Sequence, residues 1–408
     1  MIFECLNLIN AITINCISKN NPSSACCTGE ISLDPSLTSI SDDAFLGCSS
    51  LNGTLVIPSS VILIGNNAFK DCLNLVGELN IPSNVDIIGS YAFFGCHGFH
   101  GSLNIPHGVT TIGSYAFTRC IGLNGSLSIP TSVISIGSHV FYLNSGLTGN
   151  LVIPTTFTTV STSLFNGCSG FSTLTLHENI TSIGSGAFSS CTGLTSNLVL
   201  PSDVTYIGDS AFDGCSGLTG SLILPLGLTS IGQHAFRSCN GLNGNLNIPS
   251  GITSLAMRVF QGCSGLRGTL TIPNTVISIG RETFRDCTGL SGSVTIPDSV
   301  DSIDNLAFSM CLNLSFIGLY SVTTFEADSF DGTVVPTIIS NMPTSQPTGQ
   351  PTANPTNPTG QPTSEPSSSP TSNPTNERVT VVTVIRDTLQ MFVGGIKNTI
   401  KPTAKYEL

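Results

Sequence analysis

Hydrophobic and polar residues follow one order that repeats about every 24 residues along most of the chain. Each repeat reads approximately LxGxLxIPxxVxxIGxxAFxxC, as in residues 51–72. Its phenylalanine recurs at eleven successive steps, of which ten are 24 residues long and one is 23. These residues are Phe45, Phe69, Phe93, Phe117, Phe141, Phe165, Phe188, Phe212, Phe236, Phe260, Phe284 and Phe308. A fixed period of this length predicts a solenoid, in which each coil buries its apolar side chains against its neighbours.

Within one repeat, the pattern predicts a short strand, a second extended segment and a turn. Apolar residues such as Leu55 alternate with outward positions, which is the period of two expected for a strand with one buried face. Pro58 ends this strand because proline cannot donate to a ladder of hydrogen bonds. We expect Gly65 to turn the backbone with a positive φ. Ala68 and Phe69 are then expected to fill the back of the coil in a short helical or 3₁₀ turn.

The 23-residue step has the spacing of an ordinary leucine-rich repeat strand, with Phe171, Leu174 and Leu176 in the LxxLxL positions. Together with the motif IPxxVxxIGxxAFxxC, the chain resembles the BspA-like leucine-rich repeats over about residues 28–335. The resemblance implies a right-handed, curved solenoid with a parallel sheet on its concave side, and a role in adhesion or protein binding at cell surfaces. We therefore expect a β-rich leucine-rich-repeat solenoid of about twelve 24-residue coils, followed by a disordered Pro/Thr tail.

The sequence divides into four segments. Residues 1–27 are an N-terminal segment or cap that is a weak match to a signal peptide, since they lack a basic start. The solenoid occupies residues 28–335. In the linker, residues 336–376, most prolines are four apart and precede threonine, a composition that favours extended polyproline II. This linker is either an O-glycosylated stalk or an unmodified disordered spacer. Residues 377–408 are a short C-terminal segment, and a truncated and a complete segment both remain open alternatives.

Charge is scarce in this chain and limits the function classes that fit it. Charged residues make up 9% of the sequence, against roughly 25% in an average soluble domain. The balance is acidic, with 13 Lys and Arg against 24 Asp and Glu, whereas a nucleic-acid-binding protein needs a basic stripe. The sequence contains no uncharged apolar stretch of about 18 residues or more, so it predicts no membrane span. We therefore expect a monomeric protein that binds a protein or glycan ligand on a cell or matrix surface.

The sequence also argues against catalysis. It shows no Ser-His-Asp order, no paired carboxylates at a cleft position and no phosphate-binding loop. We accordingly expect neither an enzyme nor a cofactor or metal site. Four N-glycosylation sequons agree with secretion, although a chain rich in Asn, Ser and Thr acquires such triplets by chance. They begin at Asn52, Asn124, Asn179 and Asn313.

Eleven of the fifteen cysteines lie three residues after a repeat phenylalanine, and Asn144 takes this place in the remaining repeat. Stacked coils could bring such cysteines within disulfide distance. Asparagine, however, can replace a thiol that donates a hydrogen bond but not half of a disulfide. We therefore expect a ladder of buried free thiols at Cys48, Cys72, Cys96, Cys120, Cys168, Cys191, Cys215, Cys239, Cys263, Cys287 and Cys311. Disulfides and free thiols remain equal alternatives for Cys5, Cys16, Cys26 and Cys27.

One histidine cluster and one arginine cluster stand out. The histidines have no acidic or thiol partner at metal-binding spacing, so a surface loop is the favoured interpretation; they are His97, His100 and His107. The arginines could form a patch for an anionic partner or a solvated face. Carboxylates among them (Asp213, Glu282 and Asp286) favour the solvated face. The arginines are Arg237, Arg258, Arg267, Arg281 and Arg285.

Two functions fit the outward positions of the predicted strands. These positions are neutral, small and able to form hydrogen bonds, which suits a binding face for a protein or glycan. The alternative is a structural or ice-contacting solenoid with a Thr/Ser/Asn face, which a regular threonine ladder would favour. The candidate binding stripe comprises Val56, Asn80, Asn104, Ser128, Val152, Thr175, Val199, Ile223, Asn247, Thr271 and Thr295.

Overall fold

The computed structural model describes residues 29–319, 322, 324–326 and 328–333, and the strands Gln390–Val393 and Ile396–Thr399. The described residues between 29 and 333 form a parallel β-solenoid of about twelve coils, and the described part of the chain contains no helix. The predicted fold class is therefore confirmed. The two C-terminal strands pair antiparallel. Residues 1–27, the linker 336–376 and most of 377–408 lie outside the described residues, so the predictions for them stay predictions.

A first ladder of parallel strands runs along the coils at the predicted strand positions. In Leu51–Val56, Leu51 and Leu55 are buried while Asn52, Thr54 and Val56 are exposed, as the alternating pattern predicts. The strands of this ladder are Gly29–Glu30, Leu51–Val56, Asn74–Asn80, Phe99–Asn104, Leu123–Ser128, Gly149–Val152, Phe171–Thr175, Leu246–Asn247, Leu270–Thr271, Ser291–Thr295 and Asn313–Ile317. Single bridges such as Asn197 with Thr219 join coils where no strand is formed.

The pairing in the first ladder changes register inside a strand. Gly53 pairs with Leu75, 22 residues later, whereas Val56 pairs with Asn80, 24 residues later. The extra residues lie in the second strand, between Val76 and Asn80, and they follow Gly77, whose φ of 90° lies in a region that glycine adopts without steric cost. The added glycine of the 24-residue repeat therefore forms a bulge in the strand, and the outward side chains beyond it align with a 24-residue offset.

A second ladder consists of two-residue strands, one in each coil. In most pairs the inward residue, for example Ile64 or Ile88, is buried against the core, whereas Ile136 is only partly buried. These strands are Ser39–Ile40, Leu63–Ile64, Ile87–Ile88, Thr111–Ile112, Ser135–Ile136, Thr159–Val160, Ser182–Ile183, Tyr206–Ile207, Ser230–Ile231, Ser254–Leu255, Ser278–Ile279, Ser302–Ile303 and Thr324–Phe325.

The turn around each repeat phenylalanine is not helical, which corrects the sequence-based prediction. Its backbone instead bonds to the next coil: the N–H groups of Asn67, Phe69 and Asp71 donate to carbonyl oxygens of the following turn at 2.7–2.8 Å. Asn67 and Asp71 have positive φ values of 52° and 60°. These positive φ values interrupt the run of negative φ that a helix needs. Every second N–H group of the turn therefore points to the neighbouring coil, and no helical turn forms.

The role predicted for Gly65 is also wrong. Gly65 does not have a positive φ; two residues later, Asn67 does. A Cβ atom on Gly65 would lie 2.5 Å from the backbone nitrogen of Asp42 in the preceding coil. Glycine therefore serves here to let two coils approach closely, and not to supply an unusual backbone angle.

The core is a continuous stack of phenylalanine rings. Neighbouring rings have centroids 5.0–5.9 Å apart and planes within 16° of parallel. The stack begins at Phe45 and extends one ring beyond the twelve predicted positions, to Phe330. Each ring therefore depends on the coils before and after it for its packing.

Candidate functional site

The eleven residues of the predicted binding stripe are all solvent-exposed. Where the strands are formed they stand directly opposite one another, as in Val56 with Asn80, Asn104 with Ser128, Val152 with Thr175 and Asn247 with Thr271. None carries a formal charge. The structure therefore brings these residues into one row on the outward side of the first ladder, which we call the strand face. The predicted concave shape of this face stays a prediction.

The middle of the stripe is its most apolar part. The side chains of Val199 and Ile223, in successive coils, are 71% and 74% exposed, and Val152 is also exposed. Polar residues flank this part, with Asn104 on one side and Asn247 on the other, and the first residue of the stripe, Val56, is again apolar and exposed. An apolar group of side chains with polar neighbours is the arrangement found in the core of protein–protein interfaces.

Polar side chains beside the stripe bond to one another across coils. Ser102 and Ser126 share a hydrogen bond between hydroxyl groups at 3.1 Å, and Thr173 donates to Asn150 Oδ1 at 2.8 Å. These bonds limit the rotamers of exposed side chains. A face that is already ordered loses less conformational entropy when a partner binds.

The predicted cysteine ladder is buried and has a uniform geometry. Ten thiols are free, and each donates to the carbonyl oxygen of the phenylalanine in the preceding coil, with sulfur–oxygen distances of 2.9–3.1 Å. Asn144 donates to Phe117 in the same way. Burial raises the pKa of Cys120 and Cys215 to about 12, because the thiolate loses its hydration. The ladder is therefore structural and unreactive.

The eleventh cysteine corrects the sequence-based prediction, because Cys48 is disulfide-bonded and not a free thiol. The ten other ladder cysteines are free, so its partner is not among them. Cys48 belongs to the first full coil, where no earlier ladder thiol precedes it in the described residues. The prediction that every ladder cysteine is a free thiol therefore fails at the N-terminal end of the ladder.

Neither titratable cluster assembles a metal site. His97, His100 and His107 are all exposed, and no group of three or more His, Cys, Asp or Glu side chains in the described residues could hold a metal ion. Of the sequon asparagines, Asn52, Asn124 and Asn313 lie on or beside the strand face, and all four are exposed. Their glycosylation stays a prediction.

The turns carry an aromatic stack that the sequence analysis missed. Tyr91 stacks on Tyr115 with centroids 4.6 Å apart, and Tyr115 stacks on His139 at 4.5 Å. Lys70 Nζ lies 4.9 Å from the centroid of Tyr91, a cation–π contact. Each of the three rings lies two residues before a repeat phenylalanine. Their recurrence at the repeat period was the signal that could have revealed the stack.

The arginines divide into separate groups. Arg237 forms a bidentate pair with Asp213 of the preceding coil, with nitrogen–oxygen distances of 2.7 and 2.8 Å. Arg258, Arg281 and Arg285 all contact Glu282, whose side chain is 1% exposed. Hydrogen bonds from Arg258 are the main reason why the pKa of Glu282 falls to about 2. Arg267 lies on the strand side instead.

Comparison with known proteins agrees with this geometry. The model of the BspA type leucine rich repeat region matches residues 17–148, 100–219, 148–267 and 267–341. A solved leucine-rich repeat protein from Bacteroides ovatus is 29% identical, with 72% of this chain and 80% of that chain covered and a TM-score of 0.55. A leucine rich cell surface protein from Faecalibacterium prausnitzii is 26% identical, with coverages of 74% and 94% and a TM-score of 0.42. No curated protein matches this sequence.

The family model spans the whole of the described solenoid. Within the described residues, no helix has the length and apolar character needed to cross a membrane. The repeat motif, the parallel ladders and the family match point to the same assignment. The chain belongs to the BspA-type leucine-rich repeat family.

Proposed function

We propose that this protein is a non-enzymatic binding module, secreted or held at the cell surface, whose strand face contacts a protein partner. The observation that carries the proposal is the row of eleven exposed, uncharged side chains with Val199 and Ile223 at its apolar centre. Burying such side chains stabilises a complex by roughly 25 cal/mol per Å² of apolar surface removed from water. The absence of charge in this row argues against a partner recognised by ion pairs.

The composition of the rest of the chain supports an extracellular location. The linker 336–376 has the Pro, Ser and Thr content of an extended stalk, which would hold the solenoid away from the surface that carries it. The stripe mixes Val, Asn, Ser and Thr without a fixed order. An ice-contacting face needs a regular threonine ladder, so the stripe does not support that alternative.

The proposal can be tested with a photo-crosslinking amino acid placed at Val199 of the full chain. A matched control carries the same amino acid at Ile134, which is 74% exposed against 71% for Val199 but lies off the stripe. On intact cells, crosslinks to a specific extracellular protein are expected from position 199 and not from position 134. Val199→Glu together with Ile223→Glu should abolish capture, whereas Ile134→Glu should not.

Two results would contradict the proposal. Equal crosslinking from positions 199 and 134 would show that the strand face has no special role. An antibody against the solenoid that stains only permeabilised cells would place the protein inside the cell and remove the proposed location.

A further inference from the structure

Three arginines converge on one buried carboxylate at the turns of two successive coils. Arg258 donates to Glu282 from Nε at 3.1 Å and from Nη2 at 2.9 Å. Arg281 donates from Nε at 2.9 Å, and Arg285 donates from Nη1 at 3.2 Å. Gln261 Nε2 adds a further contact at 2.9 Å. We call Arg258, Arg281 and Arg285 the arginine cluster.

The arginine cluster supplies more donors and more charge than Glu282 needs. A carboxylate offers about four lone-pair sites, and Arg258 with Gln261 already fills most of them. Arg281 and Arg285 add two further positive charges, and the one other carboxylate of the described residues in ion-pair contact with the cluster is the half-exposed Asp286, 3.4 Å from Arg285 Nε. In the part of the chain that the structure describes, three guanidinium groups thus contact two carboxylates, so one positive charge exceeds the carboxylates within ion-pair distance. The pair of Arg237 and Asp213, by contrast, is balanced.

The excess charge is accessible to solvent and held in place. The side chains of Arg281 and Arg285 are 53% and 38% exposed, whereas Glu282 beneath them is buried. Arg281 contacts Glu282 through Nε, so its terminal amino groups remain directed away from that contact. Because Glu282 already orders the guanidinium groups, a bound anion would have less side-chain entropy to remove.

We propose that the arginine cluster binds the sulfate ester of a glycan. A sulfate ester carries a single negative charge, which matches the one uncompensated positive charge. A phosphate monoester carries about 1.5 to 2 negative charges near neutral pH and exceeds it. A carboxylate is planar and is satisfied by one bidentate arginine, whereas the three terminal oxygens of a sulfate can accept from guanidinium groups that approach from different directions.

The site lies on the turns and not on the strand face, so its chemistry is independent of the proposed protein-binding function. Only the assignment of the sulfate to a glycan rests on that function, because it places the protein outside the cell. The net charge of −11 opposes the approach of a polyanion. At physiological ionic strength this repulsion is screened beyond about 8 Å, so contacts within the cluster decide the affinity.

The proposal is tested by calorimetric titration of the full chain with a sulfated heparin-derived hexasaccharide. The same hexasaccharide after chemical desulfation and inorganic sulfate are the two comparison ligands. The test variant is Arg281→Gln with Arg285→Gln. Its matched control is Arg119→Gln with Arg267→Gln, which makes the same charge change at two exposed arginines outside the cluster. The stripe variant Val199→Glu with Ile223→Glu separates this site from the strand face.

We expect wild type, the matched control and the stripe variant to bind the sulfated hexasaccharide with affinities within about threefold of each other. The cluster variant should lose about tenfold per arginine, equivalent to ~1.4 kcal/mol each. If that variant does not fold, Arg281→Gln alone should show the tenfold loss. The proposal would be overturned if wild type did not bind the sulfated hexasaccharide, or if it bound the desulfated sugar or inorganic sulfate equally tightly. It would also be overturned if the matched control lost as much affinity as the cluster variant. Loss in the stripe variant alone would also overturn it and would leave the strand-face function standing.

Discussion

Asn144 Nδ2 donates a hydrogen bond to the carbonyl oxygen of Phe117 in the preceding coil at 2.8 Å. One coil earlier, Cys120 Sγ makes the same contact with Phe93 at 3.1 Å. The ladder position therefore requires a buried donor, and either a thiol or an amide can supply it. Unlike the thiol, the amide also carries an acceptor oxygen, Asn144 Oδ1. This oxygen is buried and has no hydrogen-bond partner among the described residues.

Asn144→Cys should stabilise the solenoid by about 1–2 kcal/mol. The change keeps the donor to Phe117 and removes a buried acceptor that lacks a partner, a group that typically costs about 1–3 kcal/mol. Chemical denaturation of the purified protein measures the difference. The control is Asn144→Ala, which removes the donor and leaves a cavity, and should destabilise. If both variants lower the stability, the donor requirement is not the reason for asparagine at this position.

The ten free ladder thiols should resist alkylation in the native protein. They are buried, and a thiol whose pKa is raised to about 12, such as Cys120, is almost entirely protonated at pH 8. Alkylation after unfolding without a reductant should label these ten cysteines and spare Cys48, which is disulfide-bonded. Mass spectrometry of the labelled peptides gives the result. Peptides that join Cys72 to Cys96 in unreduced protein would contradict the free-thiol ladder.

The same thiols should make the solenoid sensitive to alkaline pH. An unfolded thiol has a pKa of about 8.5, below the folded value of about 12 for Cys215. The unfolded state therefore loses thiol protons first, so this contribution to stability is complete below about pH 8.5 and is lost as the pH rises towards 12. Melting temperatures between pH 7 and 11 should fall, and the fall should be smaller when Cys215 and Cys239 are both replaced by serine.

Gly122→Ala should destabilise the solenoid by about 1–3 kcal/mol or more. A Cβ atom at this position would lie 2.2 Å from the carbonyl oxygen of His97 and 2.4 Å from that of Phe99, both of which are backbone atoms that cannot easily move. Gly227→Ala is the control, since nothing lies within 4 Å of its Cβ position. It should be neutral or stabilise slightly through the unfolded state. Similar losses in both variants would show that coil spacing adapts to a side chain.

The repeat period made the coil, the phenylalanine stack and the donor role of Asn144 predictable, because each depends on one position meeting its copy in the next coil. The same counting would have found the stack of Tyr91 on Tyr115. The burial of Glu282 was not predictable in this way, since it depends on arginines from three different repeat positions. The residue type alone also could not show whether Gly65 is needed for a positive φ or for the close approach of two coils. The disulfide of Cys48 was not predictable either, because Cys48 is the first ladder cysteine and has no preceding coil with a ladder cysteine.

Phe212→Ala should cost about 3–5 kcal/mol, because Phe212 is fully buried and stacks between Phe188 and Phe236 at 5.3 and 5.4 Å. Phe330→Ala should cost clearly less, since Phe330 is the last described ring of the stack and is 9% exposed. Urea denaturation of the two variants compares them. A larger loss at Phe330 would show that the C-terminal end is the stability-limiting part of the array.

Glu282→Gln should destabilise the solenoid by about 2 kcal/mol, because it leaves three guanidinium groups without their central charge. The loss stays below the ~3–5 kcal/mol of a fully buried pair, since Arg281 and Arg285 are partly in water.

Glu282 has a folded pKa of about 2, below an unfolded value of about 4.3. Its contribution is therefore present above about pH 4.3 and is lost as the pH falls towards 2. Melting curves of wild type and Glu282→Gln should converge over this range, while Asp286→Asn, at a half-exposed carboxylate, should change stability by less than about 1 kcal/mol. Curves that stay parallel down to pH 2 would show that Glu282 does not hold the arginine cluster through its charge.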